Sequence, residues 1–203
     1  MTLSKLFFAF TFLAATTSIL AQEQKKDGNK IQEVITLNAD AVPQTPNADG
    51  SIPADTNGPQ PMAQTEILKR AVNFAKIESA KYVKGNAITT AGKAEFTANF
   101  KYKPKELNPQ AEVEGSFTMH VSIDAKPGKY RYTISKITHV AKNAEYSGGD
   151  VNDEVPACGS MKLPSSLWKQ MKSEAIKQAM TIVAELKEAM KVPSDKQVDK
   201  EEW

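Results

Sequence analysis

The chain has 203 residues, with 26 lysines and arginines against 24 aspartates and glutamates, two histidines and a single cysteine. A net charge of +2 with both signs interspersed gives no electrostatic reason to expect nucleic acid as a partner. The lone Cys158 excludes an internal disulfide and a thiolate zinc cage.

Residues 1–21 read as an export signal. Lys5 forms a short basic region, Leu6 to Ala15 an apolar one, and small residues lead to a cleavage point after Ala21. The apolar run is shorter than the roughly 20 residues a spanning helix needs. The mature form is therefore expected without a transmembrane anchor, in the periplasm or outside the cell. Processing removes Lys5 and leaves 25 basic residues against 24 acidic. A polar segment, 22–30, precedes a first strand at 31–37, where Ile31, Glu33, Ile35 and Leu37 alternate with Gln32, Val34 and Thr36. Residues 38–64 hold Pro43, Pro46, Pro53, Pro59 and Pro61 with no apolar periodicity, the mark of a linker or insertion.

The main α+β domain is expected over 65–191, completed by the first strand. Residues 65–82 have helical spacing, with Ile67, Leu68, Ala71, Val72, Phe74 and Ala75 on one face and Gly85 as the stop signal. A short strand near 86–89 turns at Ala91-Gly92 into the first of three clean period-two runs. Ala94, Phe96, Ala98, Phe100 and Tyr102 share a face in the first. Val113, Phe117, Met119, Val121 and Ile123 do so in the second, and Tyr130, Tyr132 and Ile134 in the third. Pro127-Gly128 makes the last turn. Pairing Asp124 with Lys129 sets Val121 against Tyr132 and Met119 against Ile134, apolar against apolar. A phase change at Lys136-Ile137 indicates a bulge or the strand's end. A loop at 143–163 leads into a helix over 165–191, capped by Ser165 or Ser166, and 192–203 is a polar tail.

The fold class is α+β: an antiparallel sheet with two helices packed on one face, in the order β-α-β-β-β-β-α. Phe96, Phe100, Phe117, Met119, Val121, Tyr132, Ile134, Trp168 and Ile182 are the expected core. Each contributes roughly 1.5–3 kcal/mol of burial before ordering entropy is subtracted.

Glu66-Ile67 at the first helix, Gly92 in the first turn, and Gly128-Lys129-Tyr130-Arg131-Tyr132-Thr133-Ile134 carry a resemblance over about residues 65–140. In these the chain resembles domain of unknown function 4468, a family of exported Gram-negative proteins. The resemblance implies a TATA-binding-protein-like fold of helix-grip type. It brings no known chemistry and no DNA binding, because function resides in sites rather than folds. Phe74 departs from the tryptophan common in that family, and the proline-rich stretch separates the first strand from its helix.

Few residues invite chemistry. In the register above, His120 lies opposite Thr133 and His139 opposite Glu114, roughly 20 Å apart, too far to share a metal or a proton. Asp150-Val151-Asn152-Asp153-Glu154 opens like a calcium loop but lacks its sixth-position glycine and closing glutamate, so a solvated loop is preferred. Met171 and Met190 fall on the long helix's apolar stripe, and Met180 lies off it. Cys158 reads as a small buried residue. Arg131, Lys129, His120 and Thr133 share the wet face of the sheet, where they form the candidate partner-binding face. No catalytic, cofactor or metal residue is assigned, and no cofactor is expected. The preferred reading is an exported, non-enzymatic module that binds a protein or glycan of the cell envelope. The alternative is a small-molecule or lipid carrier with a cavity between helices and sheet, and an enzyme ranks last. Oligomeric state is left open.

Overall fold

The computed structural model describes residues 25–27, 30–38, 60–85, 87–104 and 111–197. The export signal, most of the proline-rich stretch and the last six residues lie outside them. In chain order the elements are β1 (Lys25–Asp27), β2 (Lys30–Thr36), α1 (Gln64–Lys76), β3 (Val83–Lys84), β4 (Ile88–Thr90), β5 (Lys93–Tyr102), β6 (Gly115–Lys126), β7 (Lys129–Ala141), β8 (Gly149–Asp150), α2 (Ser165–Ala189) and α3 (Ser194–Gln197). The strands form one antiparallel sheet in the order β1-β2-β7-β6-β5-β3, with β4 also on β5 and β8 on β7.

Alternation sorts the side chains of each long strand. Ala94, Phe96, Ala98, Phe100 and Tyr102 of β5 point to one side with Phe117, Met119, Val121 and Ile123 of β6 and Tyr130, Tyr132 and Ile134 of β7. All are buried, and both long helices close over them with Ile67, Ala71 and Phe74 of α1 and Trp168, Met171, Ile182 and Leu186 of α2. All nine residues expected in the core are there.

The β6–β7 register differs by two residues from the sequence reading. Lys126 pairs with Lys129, Asp124 with Arg131 and Val121 with Ile134. The turn is only Pro127-Gly128, with Gly128 at φ +71°, the left-handed conformation that a type II turn requires after proline. A two-residue shift keeps every side chain on its face, so the apolar match survives. His120 now stands opposite Ser135, and Thr133 opposite Ser122.

A bulge explains the larger correction. The β6–β7 register slips between Thr118 and His120, where β7 carries an extra residue and Lys136 adopts φ +51°. Beyond it the faces exchange, and Ile137, His139 and Ala141 point inward. His139 is therefore fully buried opposite Phe117 and does not face Glu114 on the wet side.

The helix ends also depart from expectation. α1 stops at Lys76, and Lys84 replaces the expected glycine stop by donating from Nζ to the carbonyls of Phe74 at 2.6 Å and Ile77 at 2.9 Å. Pro164 occupies the N-cap of α2, so neither serine caps it. Where a polar tail was expected to begin, Ser194–Gln197 forms α3. It docks on α1 through Ser194 Oγ donating to Glu66 at 2.7 Å and Asn73 Nδ2 donating to the Ser194 carbonyl at 3.0 Å.

Candidate functional site

The two faces of the sheet differ sharply. On the inner face Glu33 of β2 is satisfied from two sides. It accepts from the Tyr132 hydroxyl at 2.7 Å and from Lys187 Nζ of α2 at 2.7 Å. His139 is equally enclosed. Its Nδ1 accepts the Gly148 amide at 3.0 Å, so Nε2 carries the proton and donates to the Val113 carbonyl at 3.0 Å. Burial lowers its pKa, which the bond to Val113 only partly offsets. This histidine holds the 143–163 loop to the sheet and has no solvent path for acid–base work.

Three cross-strand rows cross the middle of the outer face, and Lys126, Lys129 and Thr36 form another at its hairpin end. Of the three, Lys93, Asp124, Arg131 and Val34 form one; Glu95, Ser122, Thr133 and Gln32 the next; Thr97, His120, Ser135 and Lys30 the third. Arg131, Lys129, His120 and Thr133 thus share this face. Arg131 Nε and Nη2 both donate to one oxygen, Asp124 Oδ2, at 3.3 and 3.0 Å. Lys93 pairs with Glu95 at 2.6 Å, and Glu95 lies 3.6 Å from His120 Nε2. His120 has hydroxyl neighbours and one carboxylate, an exposed polar setting rather than a catalytic pair.

A hollow of about 180 Å³ opens where this face meets the hairpin tip, lined by Val34, Asp124, Lys126, Lys129, Tyr130 and Arg131. The tip is well anchored. Gly128 N–H donates to the Met62 carbonyl and Leu37 N–H to the Gly128 carbonyl, both at 2.8 Å. A Cβ at Gly128 would lie 2.8 Å from Pro61 Cβ, so glycine is required for contact as well as for φ. Sequence reasoning found Arg131 and Lys129. It missed Lys126 and Val34, because both depend on the two-residue turn and on β2 lying beside β7.

A second, larger cleft of about 390 Å³ lies at the end of α1, bordered by Ser79, Tyr82 and Lys84. Burial pushes the Lys84 ammonium down to about 8, against the pull of Glu185. Its bonds to two carbonyls and its place 3.8 Å from the Phe74 ring centroid make it the cap of α1. Burial, then the charge of Glu185, raises the Tyr82 hydroxyl well above its usual range.

The remaining motifs stay structural. Asp150 Oδ1 accepts from the amide and side chain of Asn152, at 2.9 and 2.7 Å, and the Asp153 carbonyl receives Trp168 Nε1 at 3.0 Å. No group of three or more His, Cys, Asp or Glu side chains among the described residues is arranged to hold a metal. Met171 and Met190 are buried, Met180 is 38% exposed, and Cys158 is half-buried against the core. No described helix is long and apolar enough to cross a membrane.

No family model matches the sequence, and no curated protein matches it. Two solved structures resemble the fold. A TBP-like protein from Parabacteroides distasonis superposes with a TM-score of 0.53 at 9% identity, over 83% of this chain and 97% of that one. A DUF4468 family protein from Bacteroides ovatus does so with a TM-score of 0.44 at 10% identity, over 87% of this chain and 94% of its own. At 9% identity the first likeness concerns the course of the backbone, and on it this chain has a TBP-like α+β fold.

Proposed function

We propose that this chain is an exported, non-enzymatic binding module of the cell envelope and that the outer face of its sheet is the surface that meets the partner. The contrast between the two faces carries the reading. Large side chains fill the inner face beneath both helices, whereas the outer rows of polar and charged side chains stand on a rigid hydrogen-bonded frame. A carrier needs a cargo-sized space between helices and sheet, and Phe96, Phe117, Met119, Tyr132 and Trp168 occupy that position here. Export rests on the basic and apolar pattern of residues 1–21.

Photo-crosslinking in intact cells tests the proposal. A crosslinking residue at Thr97 or Thr133 is expected to yield adducts that one at Ser173, on the exposed side of α2, does not. Equal adducts from all three positions, or none from the sheet, would remove the face from consideration. A small molecule retained by the mature chain in native mass spectrometry and lost on denaturation would favour the carrier.

A further inference from the structure

We propose that the hollow at the β6–β7 hairpin tip is the anion-recognising point of this face, and that its occupant is an acidic, extended segment of a protein partner. The inference rests on the outer-face reading and adds the chemistry of what docks there.

The first observation is an internal conflict. Lys126 and Lys129 are direct cross-strand partners, both exposed, and neither forms an ion pair with a described residue. Like charges directly opposite one another destabilise a hairpin. Among the described residues Asp124 is the one carboxylate lining the hollow, and it is paired with Arg131, so the lysine pair is suited to a negative group from outside.

Arg131 supplies the second observation. It spends Nε and Nη2 on a single oxygen of Asp124, while its side chain stays 55% exposed. The rest of the guanidinium fork faces solvent, in the planar geometry that matches a carboxylate. The hollow itself contains three cationic side chains and one carboxylate.

Spacing and size select the class of occupant. Lys129 and Arg131 lie two residues apart on one face of β7, about 6.8 Å at strand rise. An extended peptide with acidic residues at alternate positions repeats at that same distance. About 180 Å³ holds one side-chain group, well below the 300–1,000 Å³ typical of pockets that enclose a whole small molecule. Val34 gives the methylenes of a glutamate an apolar floor. No Phe, Tyr or Trp stands in the three rows, and Tyr130 at the edge of the hollow is buried, so a sugar ring finds no aromatic surface to stack on.

The test is an NMR titration of the mature chain at low salt with acetyl-Glu-Thr-Glu-Thr-Glu-Thr-amide. Its glutamine counterpart, oligogalacturonate and inorganic phosphate serve as comparators. The acidic peptide is expected to shift the amides between Asp124 and Arg131 saturably, and the glutamine peptide to leave them unmoved. The double variant Lys126→Gln/Lys129→Gln should weaken binding roughly tenfold and flatten its salt dependence. It should also melt no lower than the parent at low salt, because the repulsion is gone. Equal binding of the glutamine peptide, or unchanged binding by the double variant, overturns the proposal. Tighter binding of oligogalacturonate through the same lysines overturns it in favour of a glycan, and phosphate binding as tightly as the peptide reduces it to a general anion site. Crosslinks from Thr97 and Thr133 that ignore the double variant overturn this inference alone and leave the outer-face reading standing. Absent crosslinks remove that reading, while the titration still reports on the hollow.

Discussion

The imidazole of His139 accepts the Gly148 amide at Nδ1 across 3.0 Å, deep in the core between Phe117 and Tyr102. The bond exists only while Nδ1 is unprotonated, so it makes the docking of the 143–163 loop sensitive to acid. Burial places the folded-state pKa of His139 below its ordinary 6.5, so the unfolded chain binds the proton first. This contribution to stability is complete above about pH 6.5 and is lost as pH falls through the folded-state value. Urea midpoints measured between pH 7.5 and 5 are expected to decline. His139→Gln should lie roughly 1–3 kcal/mol lower at neutral pH, with a flatter profile over the same interval. An undiminished slope in the variant would assign the acid sensitivity elsewhere.

Lys136 is the only described residue other than glycine with a positive φ, and it sits in the bulge that turns His139 inward. A lysine there bears a left-handed strain of roughly 1–2 kcal/mol. Lys136→Gly is therefore expected to raise the melting temperature, the gain reduced by the larger backbone entropy of glycine in the unfolded chain. Deleting Lys136 should also be tolerated. Ile137 then follows Ser135 directly and pairs with Met119, the ladder becomes regular, and Ile137 and His139 stay inward, so calorimetry should still find one cooperative transition.

These two cases mark the limit of what the sequence discloses. Period two is a local property, and it sorted Phe96, Phe100, Phe117, Met119, Tyr132 and Ile134 to the inner face without any pairing being known. Register is not local. Asp124 against Lys129 looked favourable because it set apolar against apolar, and the chain instead sets Lys126 against Lys129 while Asp124 meets Arg131. The error was an even number of residues, so the faces survived it. The bulge was an odd one, so they did not, and the alternation that located the core misplaced His139. The candidate face was legible through Arg131 and Lys129. Its hollow was not, because Val34 arrives from a strand 97 residues away in sequence, across a pairing that no local pattern encodes.

Glu33 offers a separate measurement. Its Oε2 accepts from both Tyr132 and Lys187 and ties β2 to α2 across the top of the core. Glu33→Ala leaves the mostly buried tyrosine hydroxyl without its acceptor and is expected to destabilise by roughly 1–3 kcal/mol. Lys187 is 37% exposed and recovers water, so Lys187→Met should cost less, under about 1 kcal/mol. Tyr132→Phe removes the donor together with the need for it and should fall between them. A ranking in which Lys187→Met is the most harmful would show that the ion pair, rather than the buried hydroxyl, dominates.

The proline-rich stretch leaves and returns at one point. Leu37 carbonyl receives the Met62 amide at 3.2 Å, Gly128 joins both, and Asn38 bridges Pro61. With its two ends held together by the domain, the stretch has the connectivity of an inserted loop rather than a spacer between separate bodies. Replacing 39–59 by four glycine and serine residues is expected to preserve the fold. Closing a loop several-fold shorter should add roughly 1 kcal/mol of stability, since each doubling of loop length costs only about 0.6 kcal/mol. Chemical denaturation of the shortened chain measures this directly. A loss of more than about 2 kcal/mol would mean that the removed residues make contacts whose worth exceeds the entropy of closing the loop. Gly128→Ala, by contrast, should be damaging in either background, because its Cβ meets Pro61 at the point where the two ends of the loop are fastened.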